Sequence, residues 1–147
     1  MRNASNPGVD PPPAAAILDA KGAEKRIEAQ ARYASGLAFE LNGRPEEALR
    51  DFILSVRADP SNEEVAMEVS RRLLLAKDAE QAVEIAELAA AVPNASAGMH
   101  AHLAVLYAER GQTKDAIRAN RRAIELSPGV LTAYYNLYNL HLGQQDD

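Results

Sequence analysis

LAVLYAERGQTKDAIRANRRAIELSP, residues 103–128, is the stretch whose reading decides the fold. Ala104, Tyr107, Gly111, Ala116, Ala123 and Pro128 punctuate it. One step of 34 residues back stand Ser70, Leu73, Lys77, Ala82 and Ala89, with Pro93 a residue early. A second step back meets Gly36, Phe39, Gly43, Ala48, Ser55 and Pro60. Small, large, turn and stop residues therefore recur in phase three times. A fixed period of this size marks stacked copies of one small unit. One copy cannot bury its apolar face alone, so its neighbours must cover it.

Within the unit the apolar residues fall on helical spacing. Ile27, Ala31, Ala34, Leu37, Ala38 and Leu41 recur at three and four residues. Gly43 supplies a left-handed stop, and Pro45 fits the first turn of a second helix. That helix runs through Ala48, Phe52 and Val56 to Asp59-Pro60. Ser61 with Glu64, and Asp78 with Gln81, have the spacing of capping boxes and open the next two helices. The pattern predicts helices over 62–76 and from Asp78 to about Val92. It predicts two more over 95–110 and 113–127, and an unpaired last one over 130–142. These make three antiparallel helix pairs and a half pair, because turns of a few residues force neighbours to pack side by side. The domain is expected over 21–142, with units at 29–62, 63–96 and 97–130 and the half unit at 131–142. Residues 1–20, opened by the proline-rich MRNASNPGVDPPP, are expected to be disordered or extended, and 143–147 to form a polar tail.

Composition agrees with a packed all-α chain. Its 147 residues are 47% hydrophobic, enough for one core. The net charge of −5 does not suggest a nucleic-acid or anionic-membrane partner. Arg118, Arg121 and Arg122 are flanked by Asp115 and Glu125 and read as a solvated helix face. The absence of cysteine excludes disulfides, thiolate metal sites and cysteine nucleophiles. No apolar run approaches a membrane span. Residues 1–13 lack the apolar region of a signal peptide. A chain complete as it stands would stay in the cytoplasm; a piece of a longer one could come from an exported protein.

With these residues in place, the sequence resembles the tetratricopeptide repeat family. The first unit carries Gly36, Phe39, Gly43, Ala48, Phe52 and Pro60 in that register. The third carries Leu103, Ala104, Tyr107, Gly111, Ala116, Ala123 and Pro128. In the second, Lys77 replaces the turn glycine and Ala86 an aromatic. Arg32, Ala66, His100 and Tyr134 stand where the family has tryptophan. The resemblance implies an all-α, right-handed superhelical solenoid whose first helices line an inner groove. It implies a non-catalytic module that takes a peptide or helix of a partner protein there. By register the groove would be lined by Tyr33, Leu37, Glu40, Met67, Arg71, Leu74, Ala101, Val105, Ala108, Tyr135 and Asn139. One subtype grips the carboxylates of chaperone tails with lysines, asparagines and an arginine. Tyr33, Leu37, Glu68, Gly98 and His102 stand at those places, so that chemistry is not expected.

A structural or assembly module with no free groove is the alternative. The last helix bears on it, since Tyr134, Tyr135, Leu137, Tyr138, Leu140 and Leu142 are too many apolar residues for one face. Either the chain belongs to a longer array, or Tyr134, Leu137, Tyr138 and Leu140 pair with another copy as a homodimer. No cofactor or metal is expected. His100 and His102 point about 200° apart on a helix and cannot share an ion. Glu46-Glu47 and Glu63-Glu64 occupy helix first turns, where the dipole favours them. His141 stands at an aromatic position and is expected to pack at a repeat contact. No nucleophile elbow, phosphate loop or zinc-protease motif is present.

Overall fold

The computed structural model describes residues 14–143. Seven helices follow one another: α1 (Ala14–Leu41), α2 (Pro45–Ala58), α3 (Glu63–Leu75), α4 (Ala79–Ala90), α5 (Ala97–Glu109), α6 (Thr113–Leu126) and α7 (Leu131–Gly143). The expected extended segment is corrected in part. Residues 14–20 are the first two turns of α1, and residues 1–13 lie outside the described region, as do 144–147.

The turn inside each pair is one structure built three times. Gly43, Lys77 and Gly111 all take positive φ, at 69°, 63° and 72°. The next residue donates its N–H to the carbonyl five back: Arg44 to Phe39, Asp78 to Leu73 and Gln112 to Tyr107, at 2.8–2.9 Å. These are Schellman closures. Lys77 thus adopts the glycine conformation without being glycine.

Helix starts are less uniform. Asp78 accepts from Gln81 N–H at 3.0 Å and Ser96 from Met99 N–H at 3.1 Å. The expected Ser61–Glu64 box is not formed. Asn62 caps α3 by accepting from Val65 N–H, while the Ser61 hydroxyl donates to Asp59. Gln112, at the place Asp78 holds one unit earlier, makes no capping bond and leaves its Oε1 buried without a partner.

Ala48, Ala82 and Ala116 are all buried, each on the second helix of its pair. Gly36, Ser70 and Ala104, the small residues of the first helices, are buried as well. A methyl group at Gly36 would stand 2.6 Å from the Phe52 ring and 3.1 Å from the Ala48 carbonyl oxygen. The pair closes to backbone contact because that side chain is missing. Phe52, Val56, Val69, Leu73, Ile85, Met99 and Leu106 fill the core between pairs.

Stacking is continuous but uneven. Each pair packs on the next, and α3 touches α5 as α5 touches α7. Among the described residues, no Cα of α1 lies within 8 Å of α3, and none of α4 within 8 Å of α6. Both gaps open into clefts. Polar contacts span other seams. The Glu63 carboxylate accepts the backbone N–H and the hydroxyl of Ser96, at 2.5 Å each, tying the start of α3 to the start of α5.

Candidate interaction surfaces

The α1–α3 gap holds a cleft of about 430 Å³. Ala29, Tyr33, Leu37 and Val65 supply its apolar walls, with Arg26 and Asn62 also lining it. Tyr33 is held by its ring against Phe52, centroids 5.3 Å apart. At the other end of the gap a single side chain joins three helices. The Arg72 guanidinium of α3 bonds Glu40 of α1 at 2.5 Å and Glu68 at 2.8 Å, and lies 4.7 Å above the Phe52 ring of α2. The bond to Glu40 raises the arginine's already high pKa, and Glu68 adds to it, so its charge is permanent. Nothing in the repeat pattern singles out Arg72; a cation opposite two acids on adjacent units was the available signal.

A second cleft, of about 230 Å³, lies between α5 and α7. Val105, Ala108, Asn139 and Leu140 line it with Ala104 and Asn136. The expected groove residues therefore divide. Tyr33 and Leu37 meet in the first cleft, and Val105, Ala108 and Asn139 in the second. Met67, Arg71, Leu74 and Tyr135 line neither. Met67 and Leu74 pack on the core, and Arg71 is exposed, 3.3 Å from Glu68. One expectation is corrected. Ala101 is buried against Ala123 and Ala133, because α7 packs directly over it. Glu40 is engaged by Arg72, which leaves its carboxylate occupied.

His102 is half-buried and takes part in a seam. Ser70 Oγ lies 2.9 Å from the Met67 carbonyl and 2.7 Å from His102 Nε2, a hydrogen bond whose direction follows the ring's tautomer. Burial lowers the His102 pKa, with the Arg71 charge a smaller cause. His100 is lowered by burial too, then by Arg122. It lines a third cleft, of about 320 Å³, in the α4–α6 gap. That cleft is polar. Arg118 pairs with Asp115 there, and Tyr107 donates to Glu87 at 2.6 Å. Burial, then Glu87, pushes the Tyr107 phenol above its usual range.

Helix α7 departs from expectation in detail. Ala133 is its one fully buried residue, and Leu137 and Leu140 are half-buried, with Leu140 in the α5–α7 cleft. Leu137 and Leu140 thus lie toward the body of the molecule, apart from the exposed residues of α7. Leu131, Tyr134, Tyr135, Tyr138 and Leu142 are exposed. His141, expected at a repeat contact, is exposed as well, and no described helix covers it. Among the described residues no group of three or more acidic, histidine or cysteine side chains could hold a metal, and no helix is long and apolar enough to cross a membrane.

No protein-family model matches the sequence, and no curated protein does. Solved structures match in fold. MamA aligns at a TM-score of 0.63 and 19% identity, over 89% of this chain and 76% of its own. The first TPR of Spaghetti (RPAP3), solved with the HSP90 peptide SRMEEVD, aligns at 0.62 and 18%, over 82% and 95%. The second TPR domain of human RPAP3, in complex with the HSP70 peptide SGPTIEEVD, aligns at 0.59 and 18%, over 82% and 98%. The chain has the tetratricopeptide-repeat fold, an all-α helical-repeat solenoid.

Proposed function

We propose that this chain is a non-catalytic protein-interaction module that binds an extended peptide or a helix of a partner along the face carried by α1, α3, α5 and α7. The observation that carries the reading is the pair of clefts at opposite ends of that face, one walled by Tyr33 and Leu37 and the other by Val105 and Ala108. Apolar walls with a few polar groups at the rim suit side-chain anchors of a bound segment. Two of the solved neighbours were captured with chaperone peptides, which supports peptide binding as the use of the fold. An acidic tail is not the expected ligand here. Glu68 and Glu40 already hold Arg72, and Tyr33, Leu37 and Gly98 offer no cation where that chemistry needs one.

The test is selection from a displayed peptide library, followed by titration of the selected peptides. Leu37→Asp and Ala108→Asp change exposed cleft residues and are expected to weaken binding at least tenfold. Arg50→Glu, on α2, is expected to leave it unchanged. Selected peptides that bind all three variants like the parent would remove the groove from consideration. A second reading, assembly into a homo-oligomer, is favoured by the uncovered tyrosines of α7.

A further inference from the structure

The five exposed apolar residues of α7 form one stripe. Leu131, Tyr134, Tyr135, Tyr138 and Leu142 follow the 3–4 spacing that sets side chains on one side of a helix, and fall within about 100° of arc. Leu131 is 79% exposed, Tyr135 66% and Tyr138 61%. Ala133 and Leu140 hold the opposite side against the body of the molecule. Helix α7 therefore has two opposite apolar faces, with Thr132, Asn136 and Asn139 between them on one flank and His141 on the other, and only one face is covered, an arrangement that calls for a second cover.

That cover does not fit the repeat's own geometry. The same five places in α5 are Ala97, His100, Ala101, Ala104 and Ala108. Four are alanines, and Ala101 and Ala104 are buried where the following helices close on them. Tyr138 stands at the place of Gly36, Ser70 and Ala104. At Gly36 even one methyl would meet Phe52 and the Ala48 carbonyl. A helix packed on α7 as α2 packs on α1 would collide with a phenol. The stripe needs a partner that approaches from farther off and interdigitates with large side chains.

We infer that the partner is a second copy of this chain, docked through α7 against α7 in antiparallel fashion about a two-fold axis. This rests on the assembly reading and names its surface and direction. Three observations favour it. First, four of the five stripe residues map onto one another when the helix is reversed, and Tyr134 meets Asn139. An axis crossing the helix between Asn136 and Leu137 sets Tyr135 opposite Tyr138 of the second copy, and Leu131 opposite its Leu142. Second, α7 is the only described helix without an acidic or basic residue, Asp, Glu, Lys or Arg. The two copies carry the same charges, so a stripe of one sign would repel itself, and this uncharged one does not. A charged partner would find no ion pair on it. Third, the area suits the purpose. Aromatic side chains bury about 150–250 Å² each. At the observed exposures the stripe then offers roughly 500–600 Å² per copy, which flanking side chains bring near the ~800 Å² per partner of a stable interface.

Sedimentation velocity over about 10–500 µM tests it on the full chain. The parent is expected to sediment as a dimer whose stability does not fall with added salt, since no ion pair holds it. Tyr135→Asp and Tyr138→Asp are expected to weaken dimerisation at least tenfold, while Arg50→Glu has no effect. Helicity by circular dichroism checks that the variants fold. The cysteine-free sequence supplies a second measurement that needs no disruptive change. Under oxidation, a mixture of Leu131→Cys and Leu142→Cys proteins is expected to form a mixed disulfide dimer. Either protein alone is not, because an antiparallel pair holds like positions about 16 Å apart along the axis. A parent that stays monomeric at every concentration overturns the assembly reading and this inference together. A dimer untouched by both tyrosine changes, or Leu142→Cys linking to itself, keeps assembly and overturns the α7 pairing.

Discussion

Two residues carry the cost of departures from the repeat. Lys77 holds φ 63° where the neighbouring units have glycine. The left-handed region is strained by about 1–2 kcal/mol for a residue with a Cβ. Glycine also gives up more freedom on folding, which offsets part of the gain. Lys77→Gly is therefore expected to stabilise the chain by about 1 kcal/mol, read as a higher urea midpoint at unchanged slope. A lower midpoint would mean that the lysine side chain contributes something its exposed position does not suggest. Gln112 is the second case. Asp78, one period earlier, satisfies the first turn of α4, whereas Gln112 leaves the first turn of α6 uncapped. Gln112→Asp restores the cap and is expected to add about 1 kcal/mol, checked by the same titration. Neither residue lines a cleft, so peptide binding is expected to move little with these changes.

At the scale of helices, α1 is supported along half its length only. It has 28 residues against 14 in α2, so it runs about 42 Å beside a partner of about 21 Å. Leu18 and Ile27 stand exposed on the overhanging part. It makes no backbone approach to α3, and Arg72 supplies the bridge by pairing with Glu40 across the gap. The bridge is partly solvated, so its worth is small, about 1 kcal/mol with the ring contact included. Arg72→Ala is expected to act locally. Hydrogen exchange should quicken in α1 around Glu40 while α5 and α6 keep their protection. Uniform acceleration throughout the chain would instead mark Arg72 as a support of the whole stack. Because α1 walls the first cleft, this variant also shows whether cleft width matters to a bound segment.

For the molecule as a whole, acid is the informative perturbation. His100 and His102 both have pKa values lowered from 6.5, chiefly by burial. Their folded values lie below the unfolded ones, so the unfolded chain binds protons more readily. The stability they contribute is complete above about pH 6.5 and is lost as the pH falls toward their folded values. Urea midpoints taken between about pH 7 and 5.5 should therefore decline. His102→Gln can still hydrogen-bond Ser70 and is expected to flatten that decline. An unchanged slope would assign it to the carboxylates instead.

The period of 34, the glycine turns and the positions of Ala48, Ala82 and Ala116 were legible from residue order, and with them the pairs of helices and the solenoid. Periodicity reports which residues share a helix face and which neighbour that face must meet, and those are local facts. The clefts were half legible. Tyr33, Leu37, Val105, Ala108 and Asn139 fall in them by register, but Ala101 does not, because a short side chain lets α7 settle onto it. Helix separation decides such matters. It is set by the combined volumes and charges that three or four helices bring to one seam, and no single segment carries that information. The same holds for α7. Its excess of apolar residues could be read from the sequence, but only packed coordinates show Ala133 and Leu140 turned inward and the tyrosine stripe left for another surface to cover.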